Sequence, residues 1–430
     1  MRITNVNTSL PVNKILADLL FLYVLSILFT YPYGIDLVED NSIRLPDLFS
    51  LAAGAFALSS WLLLGKSKLK LKTLLPILPF FSLELILPII GAIYYGPFSA
   101  SLSSARVLLL YLPVMVCCFR LGVSSSLKFE RRLDKLFRIT IILNLVYAIL
   151  QLAVYLGLLP EFLLITNSLE PLAVDEHFNQ ITELRVSGFF INTIALAAFG
   201  VVAMSYFLSK SKVSKKPAYF VYAMLALLLI LLSTSRVAYL AALLILLFNT
   251  LTSKLNKSFK TIIITALAIL FLGLILNIYL QIDYEIFFQR FIRIKEQGLE
   301  KDYSWNTRVV KLWPAVLSSL RKYPLGTLIP SFKVFGIIDS GYLTYYAQGK
   351  WLFIVSIVFC FINIFLYSFK AKENKQGWSA NFLRCLLIYL VLDMVVDNPM
   401  RSPTVIFALI YGLWFVSIER QLVHNKLYYR

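Results

Sequence analysis

A chain of 430 residues that is 59% hydrophobic and only 15% charged, with a mean hydropathy of +0.77, has the composition of a polytopic membrane protein and no room for a soluble domain of ordinary size. Its formal charge of +18 does not point to nucleic acid, because about 25 of the 41 lysines and arginines fall in short segments between apolar runs, where basic residues set membrane orientation. Two histidines exclude a His-rich metal centre, and the four cysteines, Cys117, Cys118, Cys360 and Cys385, lack zinc or redox spacing and read as packing residues.

Apolar segments follow one another near 15–33, 45–64, 74–95, 101–119, 139–158, 187–208, 218–233, 237–251, 261–281, 351–369, 380–397 and 403–419. The first is long enough to span and lacks a small-residue cleavage motif, so no cleavable signal is expected. Segments 65–73, 120–138, 209–217, 252–260, 370–379 and the C-terminus are basic, whereas 34–44 and 160–186 are acidic or mixed. The expected fold is therefore an all-α polytopic integral membrane protein, a single transmembrane domain over 1–430 with about 12 transmembrane helices and both termini cytoplasmic. Within it, Glu84 in the third span and Arg106 in the fourth fall at comparable depth. An ion pair between them is the first expectation and a substrate-lining role the second.

The run from Ala218 to Thr250 is interrupted once, by Ser233-Thr234-Ser235-Arg236. It is too long for one crossing of about 20 residues. Lys210, Lys212, Lys215 and Lys216 precede it, and Lys254, Lys257 and Lys260 follow it. Both clusters should face the cytoplasm, so an even number of crossings separates them. Two short helices joined at Ser233–Arg236 satisfy this and put Arg236 at the outer face. There it either snorkels to the interface or holds an anion, for which its planar fork of donors suits phosphate. The neighbouring hydroxyls either add donors or satisfy helix ends.

Residues 282–350 form an outer loop far beyond connector length, the kind that usually carries function. Within it, Trp305 to Lys322 reads as an amphipathic helix with Val309, Leu312, Trp313, Val316, Leu317 and Leu320 on one side, kinked or shortened by Pro314. The loop is rich in cations, against the positive-inside trend. Arg290 and Arg293, three apart, share a helix face that grips either a diphosphate or lipid headgroups. Arg308 either reaches the same anion or lies on a solvated face. Asp339, in Asp339-Ser340-Gly341-Tyr342-Leu343, is a better candidate base than His177, the alternative being a loop turn. Asp393 and Asp397 sit one turn apart before Arg401 and either line a cavity or bridge to it. No repeat and no duplication of two halves is evident, which counts against an inverted-repeat transporter.

Three segments together resemble the O-antigen polymerases (Wzy) within the O-antigen polymerase and ligase superfamily. Ser233-Thr234-Ser235-Arg236-Val237-Ala238 is similar to its Ser/Thr-x-Ser-Arg-Gly-Ala signature, with Val237 where glycine is usual. Arg185-Val186-Ser187-Gly188-Phe189-Phe190-Ile191-Asn192 resembles its Arg-x-x-Gly-x-x-x-Asn segment. Arg308 through Trp313, followed by Tyr323-Pro324-Leu325-Gly326, resembles the Arg-x-x-x-x-Trp and Pro-x-Gly elements of its large loop. The ligases carry a loop histidine before a Tyr-Leu pair; here Asp339 precedes Tyr342-Leu343, which favours polymerase over ligase. The resemblance implies a membrane-embedded glycosyltransferase of GT-C-like architecture in the bacterial cytoplasmic (inner) membrane, with one large periplasmic loop. Its donor would be an undecaprenyl-diphosphate-linked oligosaccharide, with a chain-length regulator as a further partner and no cofactor, metal or nucleic acid. Arg236 and Arg308, with Arg290 and Arg293, would hold the diphosphate, Arg185 and Tyr342 would bind glycan, and Asp339 would accept the hydroxyl proton. The alternatives are an O-antigen ligase and, from another class, a flippase for the same lipid-linked oligosaccharide.

Overall fold

The computed structural model describes residues 10–29, 34–38, 41–64, 75–95, 111–155, 158–164, 174–175, 180–181, 186–190, 192–214, 216–252, 307–336, 338–370 and 377–428. The expected span at 261–281, with Arg106, His177, Arg185, Arg290 and Arg293, lies outside them. The helices are α1 (Leu10–Phe29), α2 (Leu45–Leu64), α3 (Leu78–Tyr95), α4 (Tyr111–Arg120), α5 (Val123–Tyr155), α6 (Thr193–Ser214), α7 (Pro217–Leu232), α8 (Arg236–Thr252), α9 (Trp313–Ser319), α10 (Phe332–Phe335), α11 (Gly341–Lys370), α12 (Ser379–Asp393) and α13 (Pro403–Tyr428). Two short antiparallel hairpins interrupt them, β1 (Gly34–Val38) with β2 (Asn41–Arg44), and β3 (Val174–Asp175) with β4 (Gln180–Ile181).

Among the described residues α1, α2, α5, α6, α11 and α13 are long and apolar enough to cross a membrane, and α3, α4, α7 and α8 are apolar but shorter. The protein is an α-helical membrane protein. Two boundaries differ from the sequence expectation. The basic segment 120–138 is helical from Val123, so the span that follows it is the second half of one 33-residue helix. The last part of the expected loop is also helical, from Gly341 to a break at Gly349–Lys350, beyond which the span begins at Trp351 as expected.

The chain divides into two compact units, one of Met1–Thr140 with Ser319–Arg430 and one of Ile141–Ser318. In the first, α13 is the buried centre, packed on α12 and α1, while α11 packs on α3 and α12. Phe407, Tyr411, Trp414 and Phe415 of α13 pack their rings at tilted angles against Tyr23, Phe129 and Trp378. The four cysteines are free and buried, as packing residues should be. Polar groups on one end knit three helices. Glu419 of α13 accepts hydrogen bonds from the Trp378 and Ser379 N–H groups, supplying an acceptor that the start of α12 lacks in its own sequence. Arg384 and Arg420 donate to the Ser368 and Tyr367 carbonyls near the end of α11, where cations complement the helix dipole.

α11 is not continuous. At Gly349 and Lys350 the backbone leaves the helical region, Lys350 at φ +52°. This frees the Ala347 and Gln348 carbonyls, which accept from the Thr327 and Leu328 N–H groups at 2.9 Å each. The Pro324-Leu325-Gly326 segment therefore closes onto the kink. Gly326 holds φ +89°, and a Cβ there would sit 2.5 Å from the Gln348 carbonyl oxygen. In the second unit α6 is apolar on every side and almost wholly buried, packed on α7 and α8.

Candidate functional site

The interruption at Ser233–Arg236 is the turn of a helical hairpin. α7 has 16 residues and α8 has 17, each about 25 Å long against a hydrocarbon core of about 30 Å. Two helices this short cannot carry their turn far beyond the core if their other ends stay at the opposite boundary. Pro217 opens α7 after an extended Lys216, where its missing N–H costs nothing. Ser233 Oγ donates to the Ile230 carbonyl at 2.6 Å. Ser235 Oγ accepts from the Ala238 N–H at 3.5 Å, capping α8. Tyr239 Oη ties back to the Leu231 carbonyl at 2.6 Å. Both serine hydroxyls are thus engaged with helix ends.

Thr234 is different. Its φ is +54°, a conformation that costs a β-branched residue about 1–3 kcal/mol, and its buried hydroxyl makes no hydrogen bond. Arg236, half-buried, is the first residue of α8. A cation there opposes the helix dipole by about 0.3–1 kcal/mol. The strained turn and the misplaced cation run against local preference, a pattern that functional sites show. An anion at the turn would reverse the sign of the electrostatic term, as helix N-termini bind phosphate through backbone N–H groups.

The segment that follows Arg185 is held at the same end of this unit. α6 and α7 form an antiparallel pair joined at Lys216, with Phe207 stacked on Tyr219 near that joint. Lys212 donates to Thr252 at the end of α8. Lysines thus gather where α6 and α8 end and α7 begins, while the start of α6 and the Ser233–Arg236 turn lie at the other end. Asn192 accepts from the Ala195 N–H at 2.8 Å and caps α6. Gly188 takes φ +59°, and a Cβ there would lie 2.3 Å from Asn144 Oδ1. The turn is gripped from α5: Asn144 accepts from the Phe189 N–H and Gln151 from the Gly188 N–H, both at 2.9 Å, and Tyr147 stacks on Phe189 with centroids 4.3 Å apart. Gly188 and Asn192 therefore have structural reasons of their own. Asn144 and Gln151, absent from the sequence reading, are what hold the segment; the only signal the sequence offers for them is two amides inside an apolar run.

Arg308 is half-buried in a single π-turn, Thr307–Leu312, which passes into α9 at Trp313 and a 3₁₀ turn at Leu320–Lys322. The chain from 307 to 322 is thus helical as expected, with a change of winding beside Pro314, whose missing N–H removes one bond of the ladder. Its buried face is narrower than expected: Val316 and Leu320 are buried, whereas Leu317 is exposed. Arg236 and Arg308 belong to the second unit and Asp339 and Tyr342 to the first.

Asp339 and Tyr342, both half-buried, flank the start of α11. Here the chain is pinned to the end of α12 and the α12–α13 connection: Gly341 N–H donates to the Asp397 carbonyl at 2.8 Å, Tyr342 N–H to the Met394 carbonyl at 3.1 Å, and Tyr342 Oη to the Val391 carbonyl at 3.2 Å. Of the expected Glu84–Arg106 pair, Arg106 lies outside the described residues. Glu84, fully buried, faces the Tyr345 hydroxyl and the Arg401 guanidinium. Asp393 sits against Tyr389, with Asp397 close by. In comparisons with protein-family models and with curated proteins the chain matched none.

Proposed function

We propose that the protein is a surface-polysaccharide polymerase of the O-antigen polymerase type, a membrane-embedded glycosyltransferase with a lipid-diphosphate donor. The observation that carries this reading is the gathering of the strained Ser233–Arg236 turn and the Gly188–Asn192 segment at one end of the second unit, opposite its lysines. Two of the three segments behind the family resemblance share that end. Arg236 and Arg308, with Arg290 and Arg293, hold the diphosphate of an undecaprenyl-linked glycan and stabilise its charge as the anomeric bond breaks. A hydroxyl of a second lipid-linked repeat unit attacks the anomeric carbon, and its proton passes to Asp339. Arg185 and Tyr342 bind glycan. The reaction runs at the outer face of the bacterial cytoplasmic membrane, in a protein of about 12 transmembrane helices, GT-C-like in architecture and with both termini cytoplasmic, and a chain-length regulator sets the polymer length.

Purified protein in lipid nanodiscs, given undecaprenyl-diphosphate-linked repeat units, should build a ladder of lipid-linked polymers. Arg236→Ala and Arg308→Ala, present at normal levels, should each slow it about 100-fold, the loss typical of removing a charge-stabilising donor. Polymerisation by Arg236→Ala at the wild-type rate would remove that residue from the mechanism. A single transfer to lipid A–core without a ladder would make the protein a ligase, and movement across the bilayer without lengthening would make it a flippase.

A further inference from the structure

Three polar side chains from three separate elements meet inside the first unit, a fourth lies one helical turn on from one of them, and none is a residue of the diphosphate site. Glu84 comes from α3, Tyr345 and Gln348 from one face of α11, and Asn398 from the connection between α12 and α13. Tyr345 faces both Glu84 and Asn398, and the Arg401 guanidinium acts on Glu84 and Tyr345 together. Glu84, Tyr345 and Gln348 are at most 1% exposed. Yet both carboxylate oxygens of Glu84, the Tyr345 hydroxyl and all four amide atoms of Gln348 and Asn398 lack a fully formed hydrogen bond. Buried polar groups in folded proteins are almost always satisfied. The second unit shows what a structural pair of amides looks like, since Asn144 and Gln151 bond the backbone of the Gly188 turn at 2.9 Å.

The chemistry of the group selects its occupant. The charges of Glu84 and Arg401 offset each other, so the cluster exerts little pull on an ion. A phenol, two amides and a carboxylate offer donors and acceptors together, which matches hydroxyl groups, each a donor and a double acceptor. Beside them lies an apolar wall: the Phe80 and Phe353 rings pack on Tyr345 with centroids 5.2 and 4.8 Å away. Asp397, Asn398 and Arg401 are half-buried, in contrast to the buried Glu84, Tyr345 and Gln348. Asp339 and Tyr342 are close to them in the fold, because Gly341 is bonded to Asp397.

We propose that Glu84, Tyr345, Gln348 and Asn398 form a binding pocket for the hydroxyl groups of a sugar, the acceptor pocket of the glycosyl transfer. The acceptor role rests on the polymerase reading; the sugar-binding site does not. The probe is the repeat-unit oligosaccharide released from the source cell's own surface polysaccharide, fluorescently labelled and titrated into the full-length protein in nanodiscs. Wild type should bind it saturably. Tyr345→Phe, which removes one hydroxyl and keeps the ring packing, should weaken binding about fivefold to tenfold, the worth of a single hydrogen bond. Asn398→Ala and Gln348→Ala should weaken it further, and in elongation assays all three should raise KM for the acceptor more than they lower kcat. Tyr345→Phe keeps the test decisive if an amide variant fails to fold. Absence of binding by wild type at millimolar oligosaccharide, as expected of a cluster filled by water alone, would overturn the pocket. So would binding unchanged in the variants; if wild type still elongates, the polymerase reading survives that result. Binding that depends on these residues in a protein that never elongates keeps the pocket and removes the polymerase reading.

Discussion

Thr234 and Gly188 carry opposite backbone logic at the same end of the second unit. Thr234 occupies a left-handed conformation that its branched side chain disfavours, so Thr234→Gly should raise stability by about 1 kcal/mol. Thermal unfolding in detergent reads that gain, and a simultaneous fall in polymerisation would show that the threonine hydroxyl serves the substrate. Gly188 occupies the same region with no such conflict. Gly188→Ala adds strain and drives a Cβ into Asn144, and should cost about 2–3 kcal/mol and lower the unfolding temperature. An unchanged midpoint would mean that the grip of α5 on this turn is loose. The sequence displayed the glycine, and the interruption Ser233-Thr234-Ser235-Arg236 stood out within its apolar run. It did not reveal which hydroxyl is left unengaged, because that depends on where the Ile230 carbonyl and the Ala238 N–H come to lie.

Helices in this protein are completed by partners distant in sequence. The start of α12 has no side-chain cap of its own. Glu419, from α13, fills that place. Glu419→Ala should destabilise the protein by about 1–2 kcal/mol, the usual cost of losing a cap, and Glu419→Gln by less, since it keeps an acceptor. Equal unfolding midpoints for Glu419→Ala and wild type would assign the capping elsewhere. The kink in α11 follows the same principle, with the Gly326 turn supplying donors for carbonyls that the kink exposes. The sequence located the helices by their apolar runs and placed the span after Lys350 correctly, but the helical stretch from Gly341 up to the break was read as loop.

Across the whole molecule, the distribution of charge makes the orientation testable. With Cys117, Cys118, Cys360 and Cys385 replaced, Ser235→Cys should react with a membrane-impermeant maleimide in intact spheroplasts, and Lys216→Cys only after permeabilisation. The four native cysteines are buried and unpaired by disulfides, so replacing them breaks no cross-link. The reverse pattern would invert the topology and move Arg236 to the cytoplasmic side, away from any periplasmic chemistry.

What the sequence determined by itself was whatever depends on local composition: membrane residence, the positions of most helices, the break at Ser233–Arg236 and the unusual cations of the large loop. Apolar runs and lysine clusters are short-range signals, and the bilayer acts on them segment by segment. Tertiary structure decided what depends on distance between remote residues. Glu84, Tyr345 and Asn398 are hundreds of positions apart at their extremes, and they share a polar cluster because α3 packs on α11 and the α12–α13 connection is pinned to the start of α11. No periodicity encodes that meeting; the packing of three elements creates it.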